Sequence, residues 1–361
     1  MNERFTYDIN RGRVLFGAGM LDTIGEEVER LGARRALVLS TPAQRGDAAR
    51  LATQLGARAA GTFCEATMHT PVDVTLKAMT AYEAANADCV IAFGGGSTIG
   101  LGKAIAWRND APQIVVATTY AGSEVTPILG QTENGLKTTV RDPKILPEVV
   151  IYDPLLTLEL PVAMSVTSGL NAMAHAVEAV YARDRNPIST LMAIEGVRAL
   201  RDALRVIVNE PRNIAARSAA LYGSWLCGTV LGTVGMALHH KLCHTLGGSF
   251  DLPPAETHAI VLPHSAAYNA DAARRELKPL ADLFGGEIGE GLYDFAASLG
   301  APLGLKNVGL NESQLDHAAD LAAKNPYWNP RPIDRGAIRE LLQRAWEGVR
   351  PERRTSVEAP A

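Results

Sequence analysis

Six of the eight histidines, His175, His239, His240, His244, His258 and His264, fall between residues 175 and 264. Imidazole titrates near neutral pH, so such crowding suits proton relay, donation to a developing negative charge, or metal ligation. Asn171 and His175 sit four residues apart on a helical pattern, as do His240 and His244 in HHKLCHTLGG. Each pair therefore projects from one helix face. Any one of these histidines is well explained as a satisfied structural group, but the cluster as a whole points to an active site.

A second chemical signal precedes it. Gly94, Gly95, Gly96, Ser97 and Thr98 follow the apolar run DCVIAF and open a helical window, Ile99–Trp107. Glycines where a strand meets a helix let backbone N–H groups and the positive helix end face a phosphate. A tight turn alone would also use a glycine or two. After the next apolar run comes a loop with Thr118, Thr119, Tyr120 and Ser123, placed to hold the rest of a dinucleotide at the carboxyl ends of adjacent strands. The run RALVLS ends in Ser40 and Thr41, where an acid would usually grip the adenosine ribose of NAD. With no acid there, NADH and NADPH both remain acceptable.

These groups need elements to position them. Short apolar runs at Arg35–Ser40, Asp88–Phe93, Gln113–Thr118 and Val149–Tyr152 predict buried strands, alternating with helical windows such as Leu21–Leu31 and Val74–Ala85. Strand–helix alternation predicts a parallel sheet covered on both faces. Beyond Pro161 long helical patterns take over, with Ile194, Val197, Leu200, Leu204 and Ile207 on one face. The expected organisation is an α/β Rossmann-like nucleotide domain at 1–158, an all-α catalytic domain at 159–350 and a flexible polar tail at 351–361, with the joint in DPLLTLELP.

The chain has 361 residues, 47% apolar and 20% charged, with a net charge of −4. That balance argues against nucleic acid as a partner, because a phosphate-tracking surface needs a basic excess. The opening segment has no apolar core of signal-peptide length and no run is long enough for a membrane span, so the expected location is the cytoplasm. Cys64, Cys89 and Cys227 lie in apolar stretches as reduced, buried thiols, and no CxxC pairing involves Cys243.

The stretches ATMHTPVDVT, FGGGSTIGLGKA, TTYAGSEVT, DPKILPEVVIYDPLLT, SVTSGLNAMAHAVE, LHHKLCHTLGG and ETHAIVLPH resemble the iron-containing alcohol dehydrogenase group, whose fold is shared with dehydroquinate synthase. Within the group the likeness is to the maleylacetate reductases, and weaker similarity extends over nearly the whole chain. The resemblance implies an active site in the cleft between the two halves, a nicotinamide cofactor (NADH or NADPH) and a homodimer. Metal-dependent members use an Asp and three His. On this sequence those positions fall at Asn171, His175, His244 and Pro254, so two of the four are not ligands and the only carboxylate is gone. A catalytic divalent ion generally keeps three protein ligands, so no metal is expected unless His240 or His258 substitutes. Gly100 stands where the alcohol dehydrogenases commonly carry Asp, and Pro254 departs even from the maleylacetate reductases, which commonly have His there.

The chemistry implied by the resemblance is hydride addition to the C=C bond of maleylacetate, at the carbon β to the ketone, giving an enolate and then 3-oxoadipate. Conjugation lets hydrogen-bond donors do what a metal does for a plain carbonyl. His244 and His175 are the expected donors or proton relays, with His240 and His258 next. The substrate is a small dicarboxylate, so Lys241, Lys137 and Arg141 are candidates for its carboxylates, alongside Asn171 and Tyr120. His69, in TMHTP, either lines the cofactor cleft or caps a turn. Three alternatives stay open: a metal-dependent alcohol dehydrogenase acting on small aldehydes, a lyase or cyclase like dehydroquinate synthase, and a nucleotide-binding module without catalysis.

Overall fold

The computed structural model describes residues 4–352. The residues that the sequence reading assigns to a tail lie outside these from residue 353 onward. In the N-terminal half six strands form one parallel sheet: β1 (Arg13–Phe16), β2 (Ala36–Leu39), β3 (Ala59–Phe63), β4 (Cys89–Gly94), β5 (Gln113–Ala117) and, following a hairpin, β8 (Val149–Tyr152). Their order is β1-β8-β5-β4-β2-β3. All four expected strands are present. β2, β4, β5 and β8 are buried along their whole length, as a run apolar on both faces requires.

The sequence reading missed β1 and β3, which are short and mixed in composition, and the antiparallel hairpin β6 (Ile128–Glu133) and β7 (Leu136–Arg141). The hairpin turns at Asn134-Gly135, both with positive φ, the dipeptide that favours this geometry. Helices α1 (Ile24–Arg30), α2 (Arg45–Leu55), α3 (Val72–Ala84) and α4 (Gly96–Asn109) connect the strands.

From Val162 onward the described chain is helical: α5 (Val162–Ala179), α6 (Pro187–Ile207), α7 (Ile214–Thr233), α8 (Leu238–Phe250), α9 (Pro254–Asn269), α10 (Arg274–Leu283), α11 (Ile288–Ser298), α12 (Leu315–Ala323) and α13 (Arg335–Glu347). Of the expected apolar stripe of α6, Val197, Leu200, Leu204 and Ile207 are buried and Ile194 is half-buried at its edge; the helix packs on α5 and α7.

The two halves share a core. Ala92, Val115, Tyr120 and Tyr152 from the sheet side pack in one cluster with Val166, Leu170, Leu200 and Cys227 from the helices. The backbones of the halves also touch: a Cβ added to Gly228 on α7 would lie 2.0 Å from the Gly122 carbonyl oxygen. No single described helix is long and apolar enough to cross a membrane; α7 and α8 pass such a test only as a pair bent by 95°.

Candidate active site

The glycine loop joins β4 to α4. Gly94 has φ +153°, and a Cβ there would meet Thr98 Oγ1 at 2.6 Å and Gln44 Oε1 at 2.9 Å. A Cβ on Gly95 would meet Thr119 Cγ2 at 2.7 Å. Packing therefore accounts for two of the three glycines. Gly96 has nothing within 4 Å of its Cβ position, and no side chain caps α4, so the open N-terminus of this helix is the natural seat for a phosphate. Gln44, which the sequence reading missed, donates to Thr118 Oγ1 at 3.2 Å and lines the same loop. Ser97 sits beside Gly96 on the first turn of α4.

Ser40 is not positioned to grip a ribose, contrary to expectation. It is fully buried, and its hydroxyl donates to the Thr41 carbonyl at 3.0 Å, which leaves Thr41 alone at the end of β2. Ser123 contributes its carbonyl to the buried ammonium of Lys103.

Five histidines do come together. His175 and His239 approach within a common group with His240, His244 and His258, with ring centroids from 4.9 to 6.0 Å apart for neighbouring rings. His264, expected among them, stands apart: it meets Tyr293 edge-on and lines a separate cavity of about 840 Å³. The second imidazole of the central pair is His240 rather than His244, because α8 turns His240 inward toward α5. His175 Nδ1 and His240 Nε2 are 2.9 Å apart, and the remaining His175 nitrogen, Nε2, donates to the Ala121 carbonyl at 3.1 Å.

The chain of contacts ends on Glu178. Its carboxylate accepts from His240 Nδ1 (2.6 Å), from the backbone N–H of His239 (2.7 Å) and from that of Ala237 (2.8 Å). It thus caps the N-terminus of α8, where no local side chain does, and the helix end favours the negative charge. The carboxylate of the metal-ligand set is absent at Asn171, but the sequence reading missed Glu178, which brings a different carboxylate to the histidines. It was legible as the group three residues beyond His175 on the same helix face.

A second histidine pair lies alongside. His239 Nε2 and His258 Nδ1 are 2.9 Å apart, and His239 Nδ1 meets Ser265 Oγ at 3.0 Å. Ser265 gives its own proton to the carbonyls of Val261 and Leu262, so it accepts from His239. His239 then accepts at Nε2 from His258. Burial lowers the proton affinity of His175, His239 and His258 well below the ordinary imidazole value, with neighbouring rings adding to it.

His244 faces outward from this group. Its Nδ1 lies 3.1 Å from Tyr327 Oη, and Lys241 sits 5.8 Å from the Tyr327 ring. Burial first, then His240, Lys137 and Lys241, bring its pKa down to about 3. At neutral pH it is an uncharged ring. Tyr327 is another residue the sequence reading missed, for it arrives from a loop more than eighty residues downstream (|i−j| = 83).

Two proposed substrate contacts are misplaced. Tyr120 is fully buried, and its hydroxyl accepts from Arg217 Nη1 at 2.9 Å. Arg141 donates to the Gly232 carbonyl at 3.1 Å and lines another cavity with Ile9, Pro127 and Glu148. Both were inferred from motif proximity, which does not fix side-chain direction.

The residues at the four metal-ligand positions do not fit a divalent ion. Asn171 offers an amide whose Oδ1 is buried without a partner, Pro254 has no donor atom, and both His175 nitrogens are engaged. Elsewhere His239, Cys243 and His258 place three ligand-type atoms within 4.8 Å of one another, but their hydrogen bonds close among themselves and with Ser265. All four cysteines are free and buried.

A parallel sheet with a glycine-rich strand–helix loop, facing a helical half that carries clustered imidazoles, defines a nicotinamide-dependent oxidoreductase. The profile for "Iron-containing alcohol dehydrogenase" matches residues 11–154, and that for "Fe-containing alcohol dehydrogenase family, C-terminal" matches residues 165–346. The chain belongs to the iron-containing alcohol dehydrogenase family. It is 64% identical over 348 residues to the maleylacetate reductase of Rhizobium sp. (strain MTP-10005), covering 96% of this chain and 99% of that one. The crystal structure of maleylacetate reductase from Agrobacterium tumefaciens is similar at 65% identity, with a TM-score of 0.93 over 97% of this chain and all (100%) of that one. A 1,3-propanediol oxidoreductase structure is similar at 25% identity and a TM-score of 0.88, covering 95% of this chain and 100% of that one.

Proposed function

We propose that this chain reduces the C=C bond of maleylacetate to 3-oxoadipate with NADH or NADPH, and that it does so without a bound metal. The observation that carries the reading is the replacement of a ligand set by a hydrogen-bonded chain, Ala121–His175–His240–Glu178, in a family member 64% identical to a maleylacetate reductase. A plain aldehyde needs strong polarisation of its oxygen; a conjugated enone needs only stabilisation of an enolate.

A nicotinamide cofactor, held by Gly96 and the first turn of α4, would supply hydride to the alkene carbon β to the ketone. His244 meets the charge that this pushes onto the ketone oxygen. With Tyr327 Oη–H donating to Nδ1, the neutral ring carries its proton on Nε2 and presents it as a donor. The proton that completes the product at the adjacent carbon comes from the His240–Glu178 end of the chain, with His175 held too tightly to act alone. Residues 1–158 hold the cofactor, and residues 159–350 carry the histidines and Glu178 that act on the substrate. Both cofactors are accepted, since no acid stands at the end of β2 to repel a 2′-phosphate.

Oxidation of NADH and of NADPH with maleylacetate, compared with small aldehydes and repeated with EDTA, tests this. Turnover of maleylacetate unaffected by chelation is the expected result. Activity confined to aldehydes and abolished by EDTA would replace the reading with a metal-dependent alcohol dehydrogenase.

A further inference from the structure

The turn before α3 carries two successive non-glycine residues in left-handed backbone, His69 (φ 63°) and Thr70 (φ 46°). Such strain persists only where surroundings enforce it, and it concentrates at functional sites. Here the enforcement is visible. Thr132 N–H on β6 donates to the Thr70 carbonyl at 3.2 Å, and Pro71 bridges Thr132. The Thr70 hydroxyl occupies the space above Gly100, where an added Cβ would lie 2.3 Å from it. Gly100 is thus the residue that admits this turn.

The turn delivers His69 against α8. A Cβ on Gly247 would lie 3.6 Å from His69 Cε1 and 3.7 Å from Lys137 Nζ, while one on Gly248 would lie 3.1 Å from Lys137 Cβ. One turn beyond His244, Gly248 lets the Lys137 stem lie close against α8, and the Gly247 surface is in ordinary contact range of both the imidazole and the ammonium. Neither makes a hydrogen bond among the described residues. The His69 side chain is 8% exposed and neither ring nitrogen makes a hydrogen bond; Nε2 comes 3.2 Å from the exposed Asp251 carboxylate without hydrogen-bond geometry. Lys137 makes no hydrogen bond or ion pair among the described residues, and besides His69 the titratable groups close to it include Cys243 and His244. Burial, and Lys137 beside it, lower the proton affinity of His69 below the ordinary imidazole value, so the slot they form against α8 offers one ammonium and one neutral ring N–H. A buried N–H without an acceptor is unusual, and with an ammonium next to it the pair suits an anion.

We propose that His69 and Lys137, floored by Gly247 and Gly248, form an anion subsite that takes one carboxylate of the substrate. This rests on the reading of the substrate as a dicarboxylic enone. A carboxylate suits the slot because its two oxygens can accept from both groups at once, and because the slot adjoins His244, where the enone oxygen is placed.

The test is a cycle of two enzymes and three substrates: wild type and Lys137→Met, with maleylacetate and the two analogues that keep the enone but carry a methyl group in place of one or the other carboxylate terminus. Removing one partner of a desolvated charge pair costs on the order of 10²-fold in kcat/KM. Wild type should lose about that on one analogue only. Lys137→Met should lose about as much on maleylacetate, chiefly through KM, and nothing further on that same analogue. His69→Gln and Gly247→Ala, run through the same cycle, serve if Lys137→Met does not fold. Losses that multiply independently on every substrate would overturn the subsite, as would a change in the KM for NADH in place of that for maleylacetate, which would assign the anion to a cofactor phosphate. Wild type inert toward maleylacetate would instead sink the functional reading.

Discussion

Two histidine pairs lie side by side in the helical half, and their geometry is nearly the same: nitrogens 2.9 Å apart in both, and both buried. What they are attached to differs. The His239–His258 pair ends on a serine hydroxyl that accepts one proton, so two neutral rings satisfy every contact. The His175–His240 pair runs between a carbonyl and a carboxylate, both acceptors. Three contacts there need three protons, and two neutral rings supply two. The chain is complete only with one proton more. Burial and distance do not separate the two pairs; the groups at the ends of each chain do.

The comparison breaks most sharply at Glu178 and His240. Glu178→Gln or His240→Ala should lower kcat by about 10²–10⁴, the usual span for losing a positioned acid, while NADH binding followed by fluorescence stays within a factor of about two of wild type, since the losses act on chemistry. Equal losses from His239→Asn would erase the distinction. Next, His244→Ala should cost about 10²–10³ in kcat, as for an oxyanion donor, and Tyr327→Phe should cost less, because it only sets the tautomer. An unchanged rate for His244→Ala removes that residue from the mechanism.

His239→Asn itself should spare turnover to within about tenfold and lower stability by roughly 1–3 kcal/mol, the cost of orphaning buried partners, read from the urea midpoint. The smallest effect is a slope. His264 titrates near 3 in the folded chain because burial disfavours its charged form. The unfolded state binds its proton below about pH 6.5 and the native state does not, so stability falls as pH drops from there toward 3. The contribution at pH 5 is roughly 2 kcal/mol. In His264→Phe the unfolding midpoint should fall less between pH 7 and 5 than in wild type; parallel curves would deny the shift.

Much of this was written in local pattern. The four apolar strands, the α6 stripe and the glycine loop each follow from periodicity or turn chemistry within a dozen residues, and the family motifs fixed the fold. Side-chain direction was not legible in the same way. Tyr120 and Arg141 sit within recognisable motifs, yet tertiary packing turns one into the core toward Arg217 and the other toward Gly232. Tyr327 reaches His244 across a separation that no spacing rule covers. Glu178 was readable in principle, on the face already marked by Asn171 and His175, but a glutamate in a helix ordinarily reads as a solvated surface charge.

The Gly122–Gly228 contact sets a limit on how the two halves can move. With peptide planes abutting and no side chains between them, sliding one half past the other would drive carbonyl into backbone. Any relative movement of the halves must therefore keep clear of that contact. The contact also anchors the loop whose Ala121 carbonyl, next in sequence to Gly122, accepts from His175.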